Sequence, residues 1–295
     1  MDDQNSHVAA VVLGSLFAGD GARPVGEADF SRAKIASQWQ LLAQYAELAE
    51  MRGMLAGMKP GYMAEVFGRA AAAGEQLGLA LTATRDAEAW QALTPDPKER
   101  NRRAMAGRAL AEASALWAIG AGHAVVNVVA RIVRAHPGAT HIDKKFEWNG
   151  APEPFSDERI LNLSLNAPTI KTIARAARDC GESPLVSLVA PLRKLIAHDD
   201  WKTLNRRRDN EYHRWRPQSI EGGALTMNPW VREDDRTTSL DWSLPSGHIP
   251  PDLKDLAQES RAGHDVLCST MSDVLDALPA ALVSVGANLW TVKPT

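Results

Sequence analysis

Apolar residues recur every three or four positions along most of this chain, which is the spacing of helices that bury one face. A first helix is predicted from a cap at Asp29 or Ser31 to Met54, followed by an alanine-rich helix from Gly61 to Thr84. A third, longer helix is predicted from about Lys98 to Arg134. The apolar stripe of the first helix consists of Ile35, Trp39, Leu42, Tyr45, Leu48 and Met51.

Further helices are predicted in the second half of the chain, each beginning at a capping residue or a proline. Gly181 stops the first of them, and the last ends near Leu278. Their predicted starts are Asn166, Ser183, Asp199 or Asp200, and Pro251. The pattern as a whole predicts an all-α protein, built as an up-and-down helical bundle.

Prolines and glycines mark the interruptions of this pattern. The sequence Thr94-Pro-Asp-Pro is the best candidate boundary, and it divides the chain into an N-terminal helical region of unknown role, 1–93, and a bundle, 94–295. Two insertions are expected within the bundle. The first, near 137–157, has little predicted regular structure, and the second, near 220–247, is predicted to form a small β-hairpin.

Composition narrows the class of protein. The 295 residues are 45% hydrophobic and 23% charged, which is typical of a soluble globular protein. A formal net charge of -3 argues against a general nucleic-acid coat, so any contact with nucleic acid must be a local patch. The two cysteines, Cys180 and Cys268, are expected to be free thiols in a reducing cytoplasm.

No membrane contact is expected. The apolar stretch 8–17 is preceded by Asp2 and Asp3 and by no basic residue, unlike a secretory signal. His123, Asn127 and Arg131 interrupt the apolar part of the third helix, so a span is not predicted there or elsewhere. We therefore expect a soluble, cytoplasmic protein.

The stretch 206–216, Arg-Arg-Arg-Asp-Asn-Glu-Tyr-His-Arg-Trp-Arg, concentrates the chemistry of the chain. Five arginines against two carboxylates give it a charge of +3. Arginines suit phosphates, aromatic rings suit bases, and an imidazole near neutrality suits proton transfer, a combination typical of RNA recognition and cleavage. The side chains predicted to bind RNA are Arg206, Arg207, Arg214, Arg216, Tyr212 and Trp215.

Within this stretch, Arg208 and His213 are the predicted catalytic pair. Asp209 precedes His213 by four residues, lies on nearly the same helix face, and is predicted to orient the imidazole. Two other pairs have the same spacing, Arg131 with His136 and Arg193 with His198. These lie at the ends of amphipathic helices, where a cation complements the helix dipole, and are interpreted as structural.

The sequence Arg208-Asp209-Asn210-Glu211-Tyr212-His213 resembles the motif of ribonucleases of the HEPN superfamily (higher eukaryotes and prokaryotes nucleotide-binding). In that motif, an arginine, a polar residue and a histidine stand late in a helix of a small bundle. The resemblance covers these six residues. Helices from about 98 to 216 and 251 to 279 are compatible with such a bundle, whereas 1–93 and 220–247 lie outside it.

The resemblance implies a four- or five-helix bundle that dimerises and brings two motifs into one cleft. It implies metal-independent endoribonuclease activity leaving a 2′,3′-cyclic phosphate, with no metal and no cofactor. His213 would act as general base or acid, Arg208 would stabilise the phosphorane, and Asp209 would position His213. Such proteins are common in toxin–antitoxin and phage-defence systems, so the implied partners are RNA, a second copy of the chain, and an antitoxin or defence protein.

A polar stripe in the third helix leaves two interpretations open. Gly120, His123, Asn127, Arg131 and Arg134 recur at intervals of three or four residues among apolar neighbours. The stripe is either the solvated edge of a surface helix or a set of residues, His123, Asn127 and Arg131, that an adjacent helix contributes to the same site. Because buried polar groups need partners, an inward-facing stripe would favour the second interpretation.

Two alternatives to catalysis remain open from the sequence. One is a non-catalytic HEPN-like module that binds nucleotides or RNA, or that contacts only other proteins. The other is a helical scaffold in which Arg208 forms a buried ion pair with Glu211 or Asp209. The sequence contains no phosphate-binding glycine loop, nucleophile elbow or metal-ligand spacing, which disfavours those classes of site.

Overall fold

The computed structural model describes residues 25–92, 100–139, 142, 162–213, 231–234, 237–240 and 253–289. Nearly all of them are helical, which confirms the all-α prediction. The helices are α1 (Glu27–Leu41), α2 (Ala46–Leu55), α3 (Tyr62–Ala92), α4 (Arg100–Ala135), α5 (Ala167–Asp179), α6 (Ser183–Ala197), α7 (Asp199–His213) and α8 (Leu253–Ser284). Strands β1 (Val231–Asp234) and β2 (Thr237–Leu240) pair antiparallel within the region predicted as an insertion.

Helices α3 and α4 form a long antiparallel pair at the centre of the bundle. The Tyr62 hydroxyl donates to the Arg131 carbonyl at one end of the pair, and Thr84 lies against Ser114 nearer the other. Many of the residues between these contacts are alanine or glycine, which allows the helices to approach closely. Helix α1 crosses α3 at Gly74, where a Cβ would stand 2.5 Å from the Ala36 carbonyl oxygen.

The first predicted helix is in fact two helices, α1 and α2, separated by a 3-10 turn at Leu42–Tyr45. The prediction of one continuous stripe is wrong because the tighter 3-10 turn shifts which positions of the following helix face the core. Trp39 before the turn and Leu42 at its first position are buried, whereas Met51 after it is 52% exposed. Helix α8 also extends beyond its predicted end and through Pro279, since Ala281 and Leu282 continue its buried face.

The starts of α5 and α6 agree with the sequence prediction. The Asn166 side chain accepts a hydrogen bond from the Thr169 amide at 2.9 Å and caps α5. Gly181 follows α5 with φ +76°, the left-handed conformation that commonly ends a helix. Helix α6 begins at Ser183 with Pro184 in its first turn, as its sequence indicates.

One hydrophobic core joins the early and late helices. It includes Trp39 of α1, Phe67 of α3, Val129 of α4, Leu188 of α6 and Met271 of α8. The predicted boundary near residues 93 and 94 falls between α3 and α4, which pack together in this core. Cys180 and Cys268 are free thiols, and burial raises the pKa of the Cys268 thiol to about 12.

Two helical segments, Ala106–Ala135 and Leu256–Ser284, are long and apolar enough to cross a membrane when length and composition alone are considered. By that criterion the expectation that no segment qualifies is wrong. The most apolar window of the first segment is 72% buried inside the bundle, which is typical of a core helix, and that of the second segment is 44% buried.

Candidate functional site

Helix α7 carries the arginine–histidine motif and is held in the bundle by its first half. Trp201 and Leu204 are buried, and both rest on glycines of neighbouring helices. A Cβ at Gly122 of α4 would stand 2.9 Å from the Trp201 ring, and one at Gly263 of α8 would stand 2.7 Å from Leu204 Cδ2. These two close contacts fix the orientation of α7 against α4 and α8, and so the position of its C-terminal half, which carries the motif.

The structure overturns the assignment of Arg207 to phosphate binding. Its side chain is buried, and its Nη1 donates to the Leu256 carbonyl oxygen at 2.7 Å and to Ser260 Oγ at 3.3 Å. The Glu259 carboxylate lies 3.8 Å from the same nitrogen. Position 207 follows Leu204 by three residues on the buried side of α7, so the guanidinium is directed into α8. A side chain held in this way is not presented to RNA.

The neighbouring arginines have different environments. Arg206 is exposed, and Arg208 is half-buried and donates to the Asn205 side-chain oxygen at 3.2 Å. Asp209, Tyr212 and His213 lie on α7, but their side chains are outside the described part of the chain, as is that of Glu211. The other predicted RNA-binding residues, Arg214, Trp215 and Arg216, also lie outside the described residues.

The polar stripe of α4 faces inward, so the interpretation as a solvated edge is wrong. The Asn127 amide is buried and pairs with both backbone groups of Leu163, accepting from its N–H at 3.0 Å and donating to its carbonyl at 2.9 Å. His123 Nδ1 accepts from the Leu165 amide at 2.9 Å, which leaves the ring proton on Nε2 when the imidazole is neutral. The side chains of Asn127 and His123 thus satisfy backbone groups of the stretch 162–165, as a neighbouring β-strand would do.

Arg131 continues this stripe and is 2% exposed. Its guanidinium donates to Asn127 Oδ1 at 2.9 Å and to Glu65 Oε1 of α3 at 3.0 Å. Burial, followed by the nearby charge of Arg69, lowers the pKa of Arg131 to about 10, so the side chain remains a cation at neutral pH. The pair Arg131–Glu65 therefore links α3, α4 and the 162–165 stretch.

The buried end of the α4 stripe lies away from the contact of α7 with the start of α8. Helix α7 runs from Gly122 toward the start of α8, where Leu256 contacts both Arg207 and Ala111. Asn127 and Arg131 lie 16 and 20 residues beyond Ala111 on α4, about 24 and 30 Å along its axis. His123, Asn127 and Arg131 support the 162–165 stretch, and a role for them at the Arg208–His213 site stays a prediction.

A buried polar cluster at His264 was not predicted from the sequence. His264 Nε2 lies 3.1 Å from Ser114 Oγ, which shares a 2.6 Å hydrogen bond with Thr84 Oγ1. Burial lowers the pKa of His264 to about 4, and the charges of Arg261 and Arg32 act in the same direction. The sequence signal for this cluster was the presence of polar residues on the apolar faces of α3, α4 and α8.

An ion-pair network covers this cluster on the side of α1. Arg261 of α8 pairs with both carboxylate oxygens of Glu88, at 2.8 and 2.7 Å, and with Asp29 at 2.9 Å. Arg32 joins Asp29 to Asp265. A small cleft beside His264 has room for about one water molecule. Because Ser114 is 0% exposed, the Ser114–His264 pair is not accessible to a substrate.

In the described part of the chain, no group of three or more His, Cys, Asp or Glu residues is placed so that it could hold a metal ion. No family model, curated protein or solved structure matches this chain. The functional interpretation therefore depends on the placement of the α7 residues.

Proposed function

We propose that this protein is a metal-independent endoribonuclease in which Arg208 and His213 act at the C-terminal end of α7. The observation that supports the proposal most is the continuity of α7 from Asp199 through His213. A continuous helix keeps the two positions about 7.5 Å apart along the axis and about 140° apart around it. Side chains about 140° apart point to different sides of one helix, so a second copy of α7 is needed to bring an Arg208 and a His213 to one phosphate groove.

Arg206 is a further cation on the surface of α7 that can bind a phosphate in this groove. Arg206 is exposed and precedes His213 by seven residues, so positions 206 and 213 share one helix face. A phosphate bound at Arg206 would lie on the face that carries the histidine. In this proposal Arg214 and Arg216 also bind phosphates, and Tyr212 or Trp215 stacks on a base.

The proposed reaction needs no group from outside the protein and the RNA. His213 removes the proton of a ribose 2′-hydroxyl, and the 2′-oxygen attacks the adjacent phosphorus. Arg208 stabilises the negative charge of the phosphorane, while Asp209 orients the imidazole. The P–O5′ bond breaks, and the 5′-oxygen takes a proton from His213 of the partner subunit. The products are a 2′,3′-cyclic phosphate and a 5′-hydroxyl.

Two copies of the chain are part of the proposal, because one histidine cannot serve as base and acid in the same step. We propose a cytoplasmic homodimer acting on RNA in a toxin or phage-defence system, with an antitoxin or defence protein as a further partner.

The test is cleavage of a labelled RNA in EDTA by the wild type, His213→Ala and Arg208→Ala. We expect cleavage by the wild type and a loss of about 100-fold or more in both variants, with 2′,3′-cyclic phosphate on the product. Arg193→Ala is the matched control, because it disrupts the Arg193–His198 pair of the same spacing outside the proposed site. No cleavage by the wild type, or equal cleavage by His213→Ala, would refute the proposal.

The environment of the arginines favours a second candidate, a non-catalytic module that binds RNA, nucleotides or a protein. Arg207 is bound to α8 and Arg208 is half-buried against Asn205, so of the three consecutive arginines Arg206 is the exposed one. RNA binding by the wild type without cleavage, weakened by Arg206→Ala, would favour this candidate.

A further inference from the structure

We propose that Arg207 is a positioning residue for the Arg208–His213 site, which it serves by fixing the last turns of α7 to the first turns of α8. The inference rests on the proposed endoribonuclease function for its effect on activity. The contact between the two helices is independent of that function and can be tested separately.

The guanidinium of Arg207 joins two groups of α8 at once. Its Nη1 donates to the Leu256 carbonyl oxygen at 2.7 Å and to Ser260 Oγ at 3.3 Å. Ser260 is 0% exposed and donates its own hydroxyl proton to the same Leu256 carbonyl at 2.9 Å. The three groups form a closed buried set, in which hydrogen bonds from a cation are stronger than those between neutral groups.

The α8 side of this contact is firmly placed. Within one turn of Ser260, Arg261 forms its bidentate pair with Glu88 of α3. His264 reaches Ser114 of α4 in the next turn. Arg261 also pairs with Asp29 of α1, so the first half of α8 is bound to α1, α3 and α4. Helix α8 therefore provides a fixed surface on which Arg207 can hold α7.

Among the described contacts between α7 and another helix, those of Arg207 lie nearest to the motif. Arg208 is the next residue, and His213 follows six residues later, about 9 Å along the axis. Leu204, one turn earlier, packs on Gly263, so the two contacts together set both the position and the tilt of the end of α7. Displacing a catalytic group by about 1 Å costs roughly 100-fold in rate, so the clamp affects catalysis without touching RNA.

The experiment compares Arg207→Met, which keeps most of the side-chain volume and removes the hydrogen bonds, with Arg207→Lys, which retains one charged donor. Arg206→Met is the matched control, because it changes the adjacent, exposed arginine in the same way. Each protein is measured for kcat and KM on RNA and for hydrogen exchange of the amides 208–213. Circular dichroism establishes that each variant is folded, and Ser260→Ala weakens the clamp from the α8 side.

We expect Arg207→Met to lower kcat by about 10-fold or more with KM nearly unchanged, and to accelerate exchange at 208–213. Arg207→Lys should restore part of kcat, and Ser260→Ala should accelerate exchange to a smaller extent. Arg206→Met, at a residue proposed to bind RNA, should raise KM and leave exchange nearly unchanged.

Two results would overturn the inference. If Arg207→Met raises KM and leaves kcat unchanged, then Arg207 is an RNA ligand. If exchange at 208–213 is the same in Arg207→Met and wild type, the clamp does not hold the end of α7. An absence of RNA cleavage by the wild type refutes the proposed function, while the exchange result still decides whether Arg207 positions the helix.

Discussion

His264 of α8 and Ser114 of α4 share a hydrogen bond of 3.1 Å between Nε2 and Oγ in the interior of the bundle. Thr84 of α3 completes the cluster, so three long helices meet at one buried imidazole. Arg261 and Arg32 approach it from the ion-pair network above, together with the carboxylate of Asp265. Protonation of this ring would place a positive charge in the interior of the bundle, close to the guanidinium groups of Arg261 and Arg32.

We therefore expect His264 to make the fold sensitive to acid. Its pKa is about 4 in the folded protein, below the ordinary value of 6.5, chiefly because burial disfavours the charged form. The stability associated with the neutral ring is fully present above pH 6.5 and is lost as the pH falls toward 4, because only the unfolded chain takes up the proton. The loss should be on the order of 3 kcal/mol.

Urea unfolding at pH 7.5 and pH 4.5 measures this effect in the wild type and in His264→Gln. The glutamine keeps a hydrogen-bonding group near Ser114 but does not titrate, so the difference in stability between the two proteins should shrink or reverse at low pH. The same pH dependence in both proteins would show that His264 is not the group responsible.

A second prediction concerns Asn127, whose amide satisfies both backbone groups of Leu163. Asn127→Ala should lower the free energy of unfolding by about 2 to 4 kcal/mol, because a buried N–H and C=O lose their partners. Asn127→Asp should cost less, since a carboxylate still accepts from Leu163 and Arg131 but cannot donate. Denaturant unfolding checks the order, and an alanine variant as stable as the aspartate variant would contradict it.

These two clusters show which features can be predicted from a sequence. Helices with a cap or a proline at the start, such as those at Asn166 and Ser183, were found because the determining groups are a few residues apart. Arg207 was misassigned because its partner, the Leu256 carbonyl, lies 49 residues away. His264 and Ser114 are 150 residues apart.

Composition and spacing therefore show that a polar side chain interrupts an apolar face, but not whether it meets solvent, a ligand or another helix. For the α4 stripe, the requirement that buried polar groups have partners was the correct principle. The partners turned out to be the 162–165 stretch and Glu65, which no local pattern in α4 specifies.

RNA binding provides a third prediction, which concerns Arg206. Because this side chain is exposed on the proposed RNA-binding face of α7, Arg206→Ala should weaken binding to RNA and reduce the slope of log K against log salt by about 1. Filter binding or fluorescence anisotropy between 50 and 200 mM salt, roughly the range over which such slopes are defined, measures it. An unchanged slope would mean that Arg206 does not contact a phosphate. Arg175→Ala, which removes an exposed arginine from α5, is the control and should leave the slope unchanged.

The last prediction compares two glycines of α3 that have opposite surroundings. A Cβ at Gly74 would stand 2.5 Å from the Ala36 carbonyl oxygen and 2.6 Å from the Gln40 nitrogen, both backbone atoms of α1. A Cβ at Gly68 would meet nothing within 4 Å. Gly74→Ala should therefore force α1 away from α3 and lower the free energy of unfolding by about 1 to 3 kcal/mol. Gly68→Ala should raise it by about 0.5 to 1 kcal/mol through helix propensity alone. Both substitutions have the same intrinsic effect on the helix, so the difference between their denaturant midpoints measures the α1–α3 contact. Equal stabilisation of both variants would show that α1 does not pack against α3 as closely as described.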